Sequence, residues 1–211
     1  MRPAKVTLSP KEQELVNNTD WILTKNAVIQ KVYDLFGGLS DVYQLALQNQ
    51  VAITPEDAGI RSPKISKGEQ YEGLPWVMLD FPRHFAANDA FGIRSFFWWG
   101  NFCSITVQLS GKFQQKYVGA IQNYFQIHGP DSARCKDWFI GINDDPWKHH
   151  FGKDNYLPVS ESMVNNMPVL PHIKLSKKIS LHEWDQLDNF FEQGFVEILN
   201  MLSTPGGNGE Y

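Results

Sequence analysis

The first stretch of the chain places its apolar residues on a helical period. Ser9-Pro10-Lys11-Glu12 forms a capping box with proline at the first helical position, where a missing N–H costs nothing and Glu12 can reach back to the Ser9 amide. A restart at Thr19-Asp20 precedes Trp21, Val28, Val32, Leu35 and Leu39, which follow one helical face, with Ile22, Ile29 and Phe36 widening it. Gly37-Gly38 is predicted to break this helix, and Ser40-Asp41 to cap another that runs to about Gln50. From 51 to 73 the pattern turns irregular, punctuated by Pro55, Gly59, Pro63, Gly68 and Gly73.

The middle of the chain reads as β structure. Trp76-Val77-Met78-Leu79-Asp80-Phe81 is a short apolar run closed by Pro82. Two further runs, from Ile93 to Trp99 and from Phe102 to Leu109, are joined by Gly100-Asn101, which predicts a hairpin with a two-residue turn. That turn pairs Trp99 with Phe102, Trp98 with Cys103, Phe96 with Ile105 and Arg94 with Val107. One face then carries Phe96, Trp98, Cys103, Ile105, Val107 and Leu109 and is assigned to the core, with Arg94 as its odd member. The other carries Ser95, Phe97, Trp99, Phe102, Ser104, Thr106 and Gln108, aromatic walls over a hydroxyl and amide floor.

Helical spacing returns with Phe113, Tyr117, Ile121, Tyr124 and His128, stopped by Gly129-Pro130. A strand over Lys136–Ile142 and a long loop over 143–171 with a brief strand near Tyr156 follow, then a late strand over His172–Leu175. Ser180 and Glu183 make a second capping box before Trp184, Leu187, Phe191, Phe195, Ile198 and Leu202. The expected architecture is a single α+β domain over residues 1–203, a mainly antiparallel sheet of about five strands with helices at the N-terminus, middle and C-terminus; residues 204–211 are expected to be a disordered tail.

Length, at 211 residues, allows a core that needs neither metal nor disulfide. No apolar run approaches the roughly 18–20 residues that cross a bilayer, and no apolar stretch follows the basic N-terminal residues as a secretory signal requires. With Cys103 and Cys135 read as buried free thiols, the expected setting is cytoplasmic. A net charge of −4 argues against nucleic acid and anionic membrane as partners. The aromatic content is high at 13%, which fits either a ring-rich core or a ring-lined cleft.

The familiar nucleotide, hydrolase and zinc-protease signatures are missing, so chemistry is sought in clusters. Asp144, Asp145, His149 and His150 share a loop, but adjacent histidines diverge and no spaced third ligand is present; neither a metal nor another cofactor is predicted. Asp80, Arg83 and His84, with Arg94 on the next strand, could close the sheet as an ion pair, bind an anion through arginine, or orient a histidine for general-base work. The hairpin's second face could form a pocket floored by Ser104 and Thr106 and walled by Phe97, Trp99 and Phe102, or could be covered by a helix.

The run Tyr71-Glu72-Gly73-Leu74-Pro75-Trp76-Val77-Met78-Leu79-Asp80-Phe81-Pro82-Arg83, continued by Arg94-Ser95-Phe96-Phe97-Trp98-Trp99-Gly100-Asn101, resembles an uncharacterised family of bacterial proteins of about this length. That family brings no established activity, so the resemblance implies no catalytic residues. From the residues themselves the expected function is a non-catalytic binding or interaction module with an aromatic-lined cleft. An enzyme acting on a small anionic substrate through Asp80, Arg83, His84 and Arg94 is the alternative, and a homodimer with an aromatic interface and no ligand is a third.

Overall fold

A computed structural model describes residues 6–48 and 61–205. Seven strands form one sheet: β1 (Lys64–Tyr71), β2 (Leu74–Phe85), β3 (Ala90–Trp98), β4 (Phe102–Ser110), β5 (Phe139–Gly141), β6 (Tyr156–Pro158) and β7 (Ile173–Ser180). Their order is β1-β2-β3-β4-β7-β5-β6, and the paired strands run antiparallel. Among the described residues the α-helices are α1 (Pro10–Asn17), α2 (Thr19–Gln48), α3 (Lys112–His128), α4 (Glu161–Asn166) and α5 (Leu187–Ser203). The protein is therefore α+β with helices at both ends and in the middle, as expected, but with seven strands among the described residues rather than about five.

The missed strand is β1, inside the stretch read as irregular. It is polar, half-exposed and interrupted by Gly68, so it lacks the apolar alternation that announces a strand. It forms because Glu72 and Gly73 both adopt positive φ, 49° and 79°, the two-residue turn that suits the twist of a hairpin. The remainder of that irregular stretch, 51–60, lies outside the described residues, as do 49–50 and the end of the expected tail, 206–211. In the loop read from 143 to 171, α4 adds one short helix over Glu161–Asn166.

Helices α2, α3 and α5 pack on one face of the sheet. That face presents Val77, Leu79, Phe91, Ile93, Phe97, Cys103, Ile105, Val107, Leu109, Ile173 and Leu175, all buried. From α2 come Ile29, Val32, Phe36, Leu39, Tyr43 and Leu47, an unbroken stripe at spacings of three and four. The stripe explains why Gly37-Gly38 does not end the helix as expected: packing before and after the glycines holds the backbone helical against a propensity cost of about 1 kcal/mol each. Tyr43 anchors α2 in place, its hydroxyl 2.9 Å from Ser95 Oγ and its ring stacked on Phe195. The serine in an otherwise apolar face is thereby satisfied.

Three other boundaries differ from expectation. β2 continues through Pro82 because a bulge between Asp80 and Arg83 absorbs the residue that cannot donate to the ladder. The segment after Ser180 starts as a 3-10 turn over Leu181–Gln186. Ser180 caps the amide of His182, Glu183 is non-helical, and α5 begins at Leu187. Most consequential, the β3–β4 hairpin has a three-residue turn, Trp99-Gly100-Asn101, with Gly100 at φ 72°. Trp98 pairs with Phe102, Phe96 with Ser104, Ser95 with Ile105 and Arg94 with Thr106. The register is displaced by one residue, which exchanges the faces of every β3 side chain relative to β4.

Among the described residues no helix is long and apolar enough to cross a membrane. Both cysteines are free and buried.

Glycines on the helical layer provide the test of this packing. A Cβ at Gly37 or Gly38 would meet nothing within 4 Å, whereas at Gly194 it would lie 2.7 Å from Ile105 Cγ2. Gly37→Ala and Gly38→Ala should each raise the unfolding free energy by about 0.5–1 kcal/mol. Gly194→Ala should lower it by about 1–3 kcal/mol, all three measured by urea denaturation.

Candidate functional site

The displaced register moves Arg94, Phe96 and Trp98 to the sheet face away from the helices, beside Ser104 and Thr106. β2 contributes Trp76, Met78 and Asp80 to the same face, and β7 contributes Lys174 and Ser176. No described helix covers this surface of β3, yet every residue of the strand is buried. Part of the cover is the segment between β5 and β6. His149 packs on Phe96 and Tyr71, Trp147 on Arg94 and Phe85, and Phe151 on Phe102 and Tyr156.

The loop is shaped by its own polar residues, which is where the expected histidine–aspartate cluster goes. Asn143 Oδ1 accepts from the Asp145 amide, Asp145 Oδ1 from the Trp147 amide, and His150 Nδ1 from the Gly152 amide. Among the described residues no group of three or more His, Cys, Asp or Glu side chains is placed to hold a metal.

Arg94 and Asp80 face each other across β2 and β3, Nε to Oδ1 at 2.7 Å, and both are at least nine-tenths buried. The rings of Phe85 and Trp147, 5.6 Å apart, both lie against the guanidinium. The other members of the expected Asp/Arg/His cluster are elsewhere. His84 pairs with Phe91 and packs on Phe113 on the helical side, while Arg83 Nε donates to the Ser62 carbonyl. The bulge at Phe81-Pro82 separates them; Pro82 is its one mark in the sequence, where it reads as the end of the strand.

The expected hairpin pocket is likewise divided between the two sides of the sheet. Phe97 lies in the helical core and Trp99 in the turn against Trp21. Phe102, Ser104 and Thr106 stay on the outer face, where Thr106 Oγ1 and Ser176 Oγ are 2.7 Å apart and Ser176 Oγ donates to the Ile105 carbonyl.

What forms instead is a cleft of about 520 Å³ on the outer face, lined by Tyr71, Trp76, Met78, Phe96, Trp147 and His149 with Arg94 and the Gly68-Glu69-Gln70 backbone turn of β1. Trp76 lies directly over Gly68, where a Cβ would come within 2.5 Å of the indole nitrogen. Tyr71 Oη accepts from the amides of His149, at 2.7 Å, and His150, at 3.1 Å, and so joins the two walls. Among the described residues neither ring nitrogen of His149 has a hydrogen-bond partner, although the side chain is only 8% exposed.

The electrostatics follow from burial beside cations. Burial first, then the charges of Arg94, Lys174 and His150, hold His149 well below the usual histidine range, so it is neutral near pH 7. Lys174, which donates to the Lys148 carbonyl, is pushed down to about 7 by burial and by Arg94, with Asp145 opposing. Burial raises the Tyr71 and Tyr156 hydroxyls, which stay protonated.

Sequence reasoning missed Tyr71, Trp76, Phe96, Trp147 and Lys174 as site residues and weighed His149 only as a metal ligand. Lys174 alone carried a local signal: it is a cation between Ile173 and Leu175 in an alternating strand, opposite the apolar face. Comparisons with family models, curated proteins and solved structures give no match.

Two outcomes test this description. Asp80→Asn and Arg94→Gln should each cost about 3–5 kcal/mol in urea denaturation, because each strands a buried partner, and the double variant should cost far less than the sum. For Lys174 the sign follows from its two states. It titrates near 7 folded and near 10.5 unfolded, so between those values the unfolded chain binds more protons and stability rises with pH. Below about 7 both states are protonated and the full cost of the buried cation remains. The stability of Lys174→Met relative to the native chain should therefore be highest at about pH 6 and decline steadily through about pH 8 and 10.

Proposed function

We propose that the protein is a non-catalytic binding module that takes a small molecule into the outer-face cleft. The observation that carries this reading is the meeting, in one concavity, of aromatic and thioether walls with two deeply buried polar side chains, Arg94 and His149, whose remaining hydrogen-bonding groups have no partner among the described residues. Ligand sites are mostly apolar, with volumes on the order of 300–1,000 Å³ and few convergent polar groups. The unpaired nitrogens of Arg94 and His149 are open to the cleft rather than sealed from water, so an acceptor on a bound molecule can reach them.

The binding reading is favoured over catalysis by what stands beside the polar groups. An acid–base pair needs a histidine or carboxylate oriented by a second group. His84 faces away from Asp80, Asp80 is engaged by Arg94, and His149 is steadied by rings rather than by a carboxylate.

A soak or ligand-observed NMR screen with uncharged bicyclic aromatic fragments, indole and naphthalene among them, checks the reading. Fragments should occupy the cleft, Trp147→Ala should weaken them about tenfold or more, and Trp21→Ala, on the helical side, should leave them unchanged. Fragments that bind elsewhere, or that ignore Trp147→Ala, would overturn it.

A further inference from the structure

The polar groups that reach the cleft are mostly donors. Asp80 occupies Nε of Arg94 through one oxygen, and the guanidinium's four Nη hydrogens have no partner among the described residues. Tyr71 accepts two backbone amides and keeps its own hydrogen, and neutral His149 has one ring N–H to give and one ring nitrogen that accepts. Against these stand Glu69, already paired with Lys25, and Gln70. A donor-rich, acceptor-poor cavity calls for a ligand that accepts.

Charge narrows the class. Arg94 is only 6% exposed and has one carboxylate beside it, so the pair is neutral as a unit. A single added negative charge meets the guanidinium's open edge, with Lys174 as the next cation behind it. A dianion would bring a second charge up against the Asp80 carboxylate in a water-poor site, where like charges repel strongly. Arg94 also lies against Phe85 and Trp147, so the open side of its planar fork is an edge rather than a face. A planar carboxylate matches that edge with two parallel hydrogen bonds.

Resting on the binding reading above, we propose that the natural ligand is an aromatic monocarboxylate, its ring system against Trp76, Phe96 and Trp147 and its carboxylate on the Nη edge of Arg94. The ring supplies contact with the walls, and the acid supplies the acceptor the cleft lacks.

Isothermal titration with 2-naphthoate, 2-naphthamide and 2-naphthyl phosphate separates the possibilities on the unmodified chain. The carboxylate should bind about tenfold or more tightly than either the neutral amide or the phosphate, as expected for a charge-assisted pair made in a buried site. Arg94→Lys, which keeps the charge but not the fork, should reduce the carboxylate to the level of the amide and leave the amide unchanged. If that variant does not fold, the Arg94 Nη and Nε resonances of the native chain should shift with 2-naphthoate and not with 2-naphthamide. Amide and acid binding equally, both weakened by Trp147→Ala, would overturn the carboxylate and leave the cleft as a binding site. Tighter binding of the phosphate would replace the monoanion with a dianion. Absence of binding by all three would refute the proposed class, and the uncharged fragment screen then decides whether the cleft binds at all.

Discussion

Both faces of β3 are withdrawn from water, and most of the outer surface follows from that. On the helical side the withdrawal is simple, because apolar residues meet three helices. On the other side the strand carries Arg94, and its neighbours carry Asp80, Thr106, Ser176 and Lys174, all buried. Polar groups in that position must satisfy one another or destabilise the fold. They do so in sequence across the sheet: carboxylate to guanidinium, hydroxyl to hydroxyl to backbone carbonyl, and amine to the backbone of the covering loop. The segment from Ile142 to Asn155 needs no regular structure of its own, since the outer face dictates where its rings and carbonyls go. Where that cover stops short of the β1–β2 hairpin, the cleft begins.

The helical half of the fold was legible because its signals are periodic and redundant. The stripe on α2, the 113–128 helix with its glycine stop and the apolar seam of α5 each repeat their message over several turns. A double glycine could not outweigh such a seam. The outer half was less legible because it depends on single residues. Reading Trp99 as part of the turn rather than as the last residue of β3 would have set Phe96 and Trp98 beside Ser104 and Thr106. A one-residue change in turn length alters no composition and no periodicity, yet it reassigns a whole strand. The Asp80–Arg94 contact survived that change because it rests on the β2–β3 pairing, which the turn does not govern.

Charge burial also separates the two sides of the sheet. Lys177, on the helical face of β7, is paired with Glu197 of α5 at 2.6 Å, and the same carboxylate accepts from Trp138 and Tyr124. Lys174, three residues earlier and on the opposite face, has a carbonyl and the Tyr156 ring but, among the described residues, no carboxylate contact. The same strand thus sets one half-buried amine on a carboxylate and another, fully buried, on a carbonyl, where burial pushes it down to about 7.

Tyr71 closes the β1–β2 hairpin and receives two consecutive amides from the loop opposite. One wall of the cleft belongs to a hairpin and the other to an irregular segment, and a phenol oxygen is their shared fastening. The aperture therefore behaves as a fixed gauge rather than as a pair of independent jaws. A molecule that fits beneath the fastening can enter without moving either wall. A thicker one would first have to strip both amides from the phenol, so on the binding reading any shape selection here would run through hydrogen bonds that the guest itself never makes.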